Sequence, residues 1–126
     1  MHAEHADNRG LNELSGRVIG CAFTVLNALE ARLLEEVHEN TLAYEVRAAG
    51  LSAVQRYAAL VHYEDAYFAD LLVNDVLLIE LKTVKALDDA HRMKFTNYLK
   101  ATDPRLCLLF NFGKSYLEIR RVVHGL

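Results

Sequence analysis

Apolar and polar positions along this chain follow first a helical period and then the shorter period of strands. From Asn12 to Gly50, apolar residues recur every three or four positions, which predicts amphipathic helix. The rest of the chain contains apolar stretches typical of strands, separated by turn residues and by one more helical pattern. Strands are expected at 52–63, 66–73, 76–84, 106–112 and 116–123, with a helix at 88–102. This order predicts an α/β (α+β) fold with a mixed central sheet flanked by helices.

The helical half has a predicted start, a predicted end and an uncertain middle. Asn12 is a good helix N-cap and Gly50 a good C-terminal stop. Residues 30–32 are all good helix formers, so one long helix or a mild break is expected there. Residues 1–11 are expected to form a mobile N-terminus, and 12–126 a single domain.

Three charged residues interrupt the apolar run of two neighbouring strands, at Asp70, Glu80 and Lys82. Charges in apolar surroundings cost free energy unless they are paired, hydrated or bound to a metal, so these residues are a candidate site. Side chains alternate along a strand, so Glu80 and Lys82 share one face. Asp70 joins Glu80 only if the connection around Asp75 has an odd number of residues, and we predict three.

Asp70 followed by Glu80-x-Lys82 on adjacent strands, after a helix that bears a glutamate, resembles the PD-(D/E)xK nuclease superfamily. More narrowly, the chain is similar to the GxxExxY family within it. The matching blocks are 12–20, 68–73, 79–82, 97–100 and 108–113. The resemblance implies a restriction-endonuclease-like αβββαβ core and metal-dependent hydrolysis of phosphodiester bonds.

The resemblance also implies roles for residues outside those two strands. Glu35 matches the glutamate of the GxxExxY motif and would reach the metal from its helix, whereas Arg32 and His38 replace the glycine and tyrosine of that motif. His38 follows Glu35 by one helical turn and is a candidate contact for a phosphate or a metal, although an ordinary surface histidine is the favoured interpretation. Lys94 stands where the family often carries glutamine.

His91 and Tyr98 share a predicted helix face with Lys94. These three side chains are candidates for binding the substrate phosphate. A solvated basic face, with Tyr98 packed inward, is the alternative.

The chemistry of the charged residues suits a hard divalent ion. Mg²⁺ takes oxygen ligands and uses one or two carboxylates, so Asp70 and Glu80 are expected to bind Mg²⁺ or Mn²⁺. A main-chain carbonyl near Leu81 would add a third oxygen. Lys82 would contact the scissile phosphate or orient the attacking water, and its charge would stabilise the transition state.

Composition restricts the remaining possibilities. The chain has 126 residues, of which 52% are hydrophobic, enough to fill one core. Its net charge of −3 argues against strong non-specific binding of nucleic acid, although bound cations would partly reverse it. No apolar run is as long as a membrane span, and neither cysteine suggests a disulfide, so a cytoplasmic protein is expected.

Three functions stay open from the sequence. The first is a nuclease acting on DNA in preference to RNA. The second is a catalytically degenerate module that binds nucleic acid or protein. The third is a homodimer in which a helix over residues 30–46 presents apolar side chains to its copy.

Overall fold

Two long helices and one five-stranded sheet make up the part of the chain that the structure describes. The computed structural model describes residues 2–62, 65–91, 93 and 106–123. The elements are α1 His2–Ala28, α2 Glu35–Ala48, β1 Ala53–His62, β2 Asp65–Val73, β3 Leu77–Lys82, β4 Leu106–Asn111 and β5 Glu118–Val123. The predicted α+β class is confirmed. Neither described helix is long and apolar enough to cross a membrane.

The sheet is mixed, as the sequence predicts. Its strands lie in the order β1-β2-β3-β4-β5. Only β3 and β4 pair in parallel, and the other three neighbouring pairs are antiparallel. Every residue of β4 is buried, which confirms the reading of its continuous apolar run as an interior strand. The segment between β3 and β4 therefore has to cross from one end of the sheet to the other.

A larger core lies on the helical side of the sheet, and a smaller one lies on the other side. Leu77, Ile79 and Leu81 of β3 belong to the larger core, together with apolar residues of α1 and α2. Leu78 belongs to the smaller core, with Cys107. The alternation predicted for β3 is confirmed, and it sets Glu80 and Lys82 on the face opposite the helices.

The helical half divides in two, so the expectation of one long helix or a mild break is wrong. Residues 29–34 separate α1 from α2. The two helices pack side by side in opposite directions. Arg17 donates to the carbonyl of Ala49 at 2.5 Å, and the Cys21 thiol donates to the carbonyl of Glu45 at 3.7 Å. A single straight helix could not place both apolar stripes on one sheet face, so packing overrides the local propensity.

The helix start is also displaced from its predicted position. Asn12 lies inside α1, which begins at His2, so Asn12 is not an N-cap. The Asn12 side chain instead accepts a hydrogen bond from Arg121 of β5 at 2.6 Å. The Asn12 side chain, which suggested an N-cap, thus makes a tertiary hydrogen bond instead. The proposed division of the chain after residue 11 stays a prediction.

Candidate metal centre and catalytic site

The connection between β2 and β3 has three residues, as predicted. It consists of 74–76, and Asn74 and Asp75 adopt left-handed φ angles of 49° and 62°. These are the residue types that tolerate such angles best after glycine. Moving away from the turn, the last paired residues of the two strands are Leu71 and Ile79. The next residue on each strand, Asp70 of β2 and Glu80 of β3, therefore lies opposite the other.

The turn is anchored to the start of β1. The backbone N–H of Asn74 donates to the Ser52 carbonyl at 3.2 Å. In return, the Ser52 N–H donates to the side-chain Oδ1 of Asn74 at 2.9 Å. This reciprocal contact stabilises the three-residue turn, and with it the register that brings the two acids together.

Asp70 and Glu80 meet where β2 and β3 stop pairing. The ladder ends at Leu71 and Ile79, while β3 stays paired with β4 as far as Lys82. At this fork the Leu81 N–H donates to Asp70 Oδ2 at 2.7 Å, and the Asp70 N–H donates to Glu80 Oε1 at 3.3 Å. Each carboxylate is therefore held by a main-chain group, which orients both side chains before any ligand binds.

The electrostatic environment of the pair is unfavourable to two negative charges. Glu80 is only 6% exposed. Burial, followed by the charge of Glu80, raises the pKa of Asp70 to about 8, against the lowering effect of the Leu81 hydrogen bond. The charges of Glu39 and Glu35 on α2 raise it further. Negative charges on β3 and α2 therefore act together on Asp70.

Lys82 provides a nearby positive charge. Its Nζ lies 3.9 Å from Glu80 Oε2, and the two side chains are 21% and 8% exposed. This distance is at the outer limit of an ion pair, so the contact between the two side chains is a weak one. The structure therefore brings together the three residues at Asp70, Glu80 and Lys82.

The structure places Glu35 in the first turn of α2, from which its charge acts on Asp70. Within the residues the structure describes, no three His, Cys, Asp or Glu side chains lie close enough to share a metal ion. Glu35 as a third ligand stays a prediction. The structure adds Glu39, which sequence reasoning missed, one helical turn further along and bonded to Gln55 at 3.0 Å. Its spacing of four from Glu35 is the signal that was available.

His38 lies in the core, away from solvent. It is 1% exposed, its ring stacks on Phe112 at a centroid distance of 5.2 Å, and its Nδ1 lies 3.1 Å from the carbonyl of Leu34. The structure does not bring this ring to a surface that a phosphate can reach. The expectation of a surface histidine is wrong, because the ring packs into the core against Phe112.

The other candidate phosphate contacts are placed only in part. His91 lies in the helical turn that Asp88 caps, where the His91 N–H donates to Asp88 Oδ1 at 3.0 Å and the Asp88 N–H donates to the His91 ring at 3.2 Å. Asp88 therefore caps this helical turn, and residues 94–102 of the predicted helix lie outside the described residues. Lys94 and Tyr98 lie outside the described residues. Phosphate binding by these three residues stays a prediction.

Replacing His38 by alanine is expected to lower the free energy of unfolding by about 2–3 kcal/mol, because the substitution leaves a cavity beside Phe112. Chemical denaturation followed by circular dichroism measures this change. Tyr44→Ala is the matched control, since Tyr44 is 68% exposed on the same helix, and it is expected to cost less than about 0.5 kcal/mol. Equal small effects of both substitutions would contradict a core role for His38.

Two helices on one face of a mixed five-stranded sheet form an α+β fold that is consistent with a restriction-endonuclease-like core. A family model described as the PD-(D/E)XK nuclease superfamily matches residues 12–122. The chain belongs to this superfamily. No curated protein and no solved structure matches it. The narrower assignment to the GxxExxY family stays a prediction.

Proposed function

We propose that this protein is a metal-dependent nuclease that hydrolyses phosphodiester bonds, with DNA as its preferred substrate. Asp70 and Glu80 would bind Mg²⁺ or Mn²⁺, and Lys82 would act beside them. One observation carries the proposal: the fold holds two carboxylates together, partly out of water, where burial and the charge of Glu80 raise the pKa of Asp70 to about 8. Ionisable groups with strongly shifted pKa values are typical of functional sites.

The donor set fits a hard divalent cation. Two carboxylates satisfy the number that Mg²⁺ commonly takes from a protein, so a third acidic ligand is not required. The carboxylates are already oriented by the N–H groups of Leu81 and Asp70. A bound ion would polarise the scissile phosphate and lower the pKa of the attacking water.

The protein's own residues would do the remaining work. Asp70 and Glu80 would orient the ion from adjacent strands, at the point where β2 and β3 stop pairing. Lys82, which carries its charge beside Glu80, is positioned to stabilise the negative charge that develops on the phosphate. Because the chain as a whole carries a charge of −3, binding of nucleic acid is expected to depend on the divalent ion.

A catalytically degenerate module that binds nucleic acid or protein is the second candidate. Two observations favour it: His38, at the position of the motif tyrosine, is buried in the core, and the described residues contain no three-ligand group. The homodimer is a variant of this candidate. It is supported by apolar side chains that α2 and the segment before it leave exposed, at Leu34, Val37 and Tyr44. Light scattering on the purified chain tests it.

Saturating Mn²⁺ is expected to raise Tm by about 5 °C or more, because an ion that binds only the folded state stabilises it. Asp70→Asn and Glu80→Gln should both lose this shift, since each removes a charged ligand but retains an oxygen for the local hydrogen bond. Asp75→Asn, which removes an exposed charge from the neighbouring turn, should retain it. Differential scanning fluorimetry measures the shift. A Tm shift of equal size in the natural chain and in all three variants would show that the ion binds elsewhere.

A further inference from the structure

Asn111, at the end of β4, is a polar residue in an otherwise apolar interior strand. Its side chain is fully buried and all its groups are used. Oδ1 accepts hydrogen bonds from the N–H groups of Val84 and Gly113, both at 2.9 Å. Nδ2 donates to the Val84 carbonyl and to Glu118 Oε1, again at 2.9 Å. An amide satisfied in this way holds the main chain on either side in one arrangement.

Glu118, the first residue of β5, extends this network to Leu87, which lies further along the segment that follows β3. Its Oε1 also accepts the N–H of Leu87 at 3.0 Å. The hydrogen bond from Asn111 is the largest influence that lowers the pKa of Glu118, with further lowering from the Leu87 N–H and the charges of Lys114 and Arg120. The carboxylate therefore stays charged, and its hydrogen bonds are strengthened accordingly.

The main chain packs tightly around the same point. A Cβ atom at Gly113 would lie 2.5 Å from the N of Val84 and 2.7 Å from the carbonyl carbon of Thr83. Only glycine allows so close an approach of the two backbones. In addition, the Phe112 N–H donates to the Lys82 carbonyl at 2.8 Å.

Lys82 is the residue at which these contacts meet the candidate site. It ends β3 and pairs with Asn111 in the sheet register. The two residues that follow it, Thr83 and Val84, are those packed against Gly113 and bonded to Asn111. The backbone on both sides of Lys82 is thus held, which limits the region that its amine can reach.

We propose that Asn111 and Glu118 are positioning residues for Lys82, because they hold the segment that follows it against the ends of β4 and β5. This inference rests on the proposed function, in which the Lys82 amine acts on the phosphate. A purely apolar strand end would serve the core as well or better, since replacement of buried polar networks by apolar groups is often neutral or stabilising. The polar network instead specifies one backbone path.

Asn111→Leu and Glu118→Ala remove the network, whereas Glu118→Gln keeps an oxygen for Asn111 and Leu87. The first two variants are expected to lower kcat for Mn²⁺-dependent cleavage about tenfold or more with KM nearly unchanged. Glu118→Gln is expected to keep kcat close to that of the natural chain. Leu106→Ala, at the opposite end of β4, is the control for lost stability, because it removes a buried side chain far from Lys82.

A second measurement does not depend on catalysis. Acetylation of lysines by an N-hydroxysuccinimide ester, quantified by mass spectrometry, reports the ratio of Lys82 reactivity in the folded protein to Lys82 reactivity in the same protein unfolded in urea. The ratio is expected to rise several-fold in Asn111→Leu and Glu118→Ala, and to stay unchanged in Glu118→Gln and Leu106→Ala. Should Asn111→Leu fail to fold, the two Glu118 variants decide the result.

The two proposals fail in different ways. Absence of cleavage by the natural chain would overturn the nuclease function, while the acetylation ratio would still test the network. An unchanged ratio in every folded variant, or a ratio that follows stability loss and rises equally in Leu106→Ala, would overturn the positioning role. So would a kcat that is insensitive to Asn111→Leu and Glu118→Ala in a chain that does cleave.

Discussion

Asp70→Asn is expected to make the metal-free protein more stable at pH 8, by about 1–3 kcal/mol in the free energy of unfolding. In the natural chain, the folded state has to hold the Asp70 carboxylate partly out of water and next to Glu80. Asparagine removes the charge but keeps an oxygen that can accept the Leu81 N–H. The free energy of unfolding is expected to rise on this substitution because Asp70 serves the proposed function and not stability.

The pH dependence follows from the raised pKa. Asp70 titrates near 3.8 in the unfolded chain and near 8 in the folded protein, so the folded state binds a proton that the unfolded state has lost between these values. The stability contributed by the protonated carboxyl is complete below about pH 3.8 and is lost as the pH rises toward 8. The difference between Asp70→Asn and the natural chain should therefore be small near pH 4 and grow toward pH 8.

Urea denaturation at a series of pH values, with chelator present, measures this difference. Asp75→Asn is the matched control, because it makes the same chemical change at an exposed position with a φ of 62° that asparagine tolerates. It is expected to change the free energy of unfolding by less than about 0.5 kcal/mol at any pH. If Asp70→Asn destabilised the protein at pH 8, the unfavourable pairing of the two carboxylates would be contradicted.

Loss of Mn²⁺-dependent cleavage is the second large effect expected. Asp70→Asn and Glu80→Gln should each lower cleavage of DNA by about a hundredfold or more, since each removes charge that holds the ion. Lys82→Met should lower kcat by about 10²–10³-fold, because the transition state then lacks a positive group beside the phosphate. The folded state of each variant is checked by circular dichroism.

Controls of matched chemistry accompany each of these variants. Asp75→Asn serves for the two acids, and Lys85→Met, at an exposed lysine three positions after Lys82, serves for the amine. Single- and double-stranded DNA and RNA are compared as substrates, which tests the preference for DNA in the same assay. Cleavage that survives in both acid variants would locate the activity elsewhere, and binding without cleavage that is insensitive to metal would favour the degenerate module.

Much of the sheet could be predicted from the sequence because its signals are local. The period-two alternation of β3, the continuous apolar run of β4 and the Asn74-Asp75 turn each depend on neighbouring residues alone. The requirement that charged residues in apolar strands meet a partner was enough to predict the three-residue turn that brings Asp70 opposite Glu80. Their roles as metal ligands stay predictions.

Other features were decided by tertiary structure only. The break between α1 and α2 runs against the helix propensity of residues 30–32, and it arises because two apolar helix faces have to cover one sheet. The burial of His38 depends on Phe112, which lies 74 positions away in the chain. The Asn111 network likewise joins the ends of β4 and β5 to Val84, which lies 27 positions before Asn111 in the chain.

By itself, the sequence therefore determined the order of the elements along the chain, the turn and the charged residues that the turn would bring together, because local spacing encodes them. Only the tertiary structure decided which helical residues face the site, which enter the core and what holds the chain after Lys82. Contacts between distant segments depend on the angles at which elements pack, and local patterns of polarity contain no information about those angles.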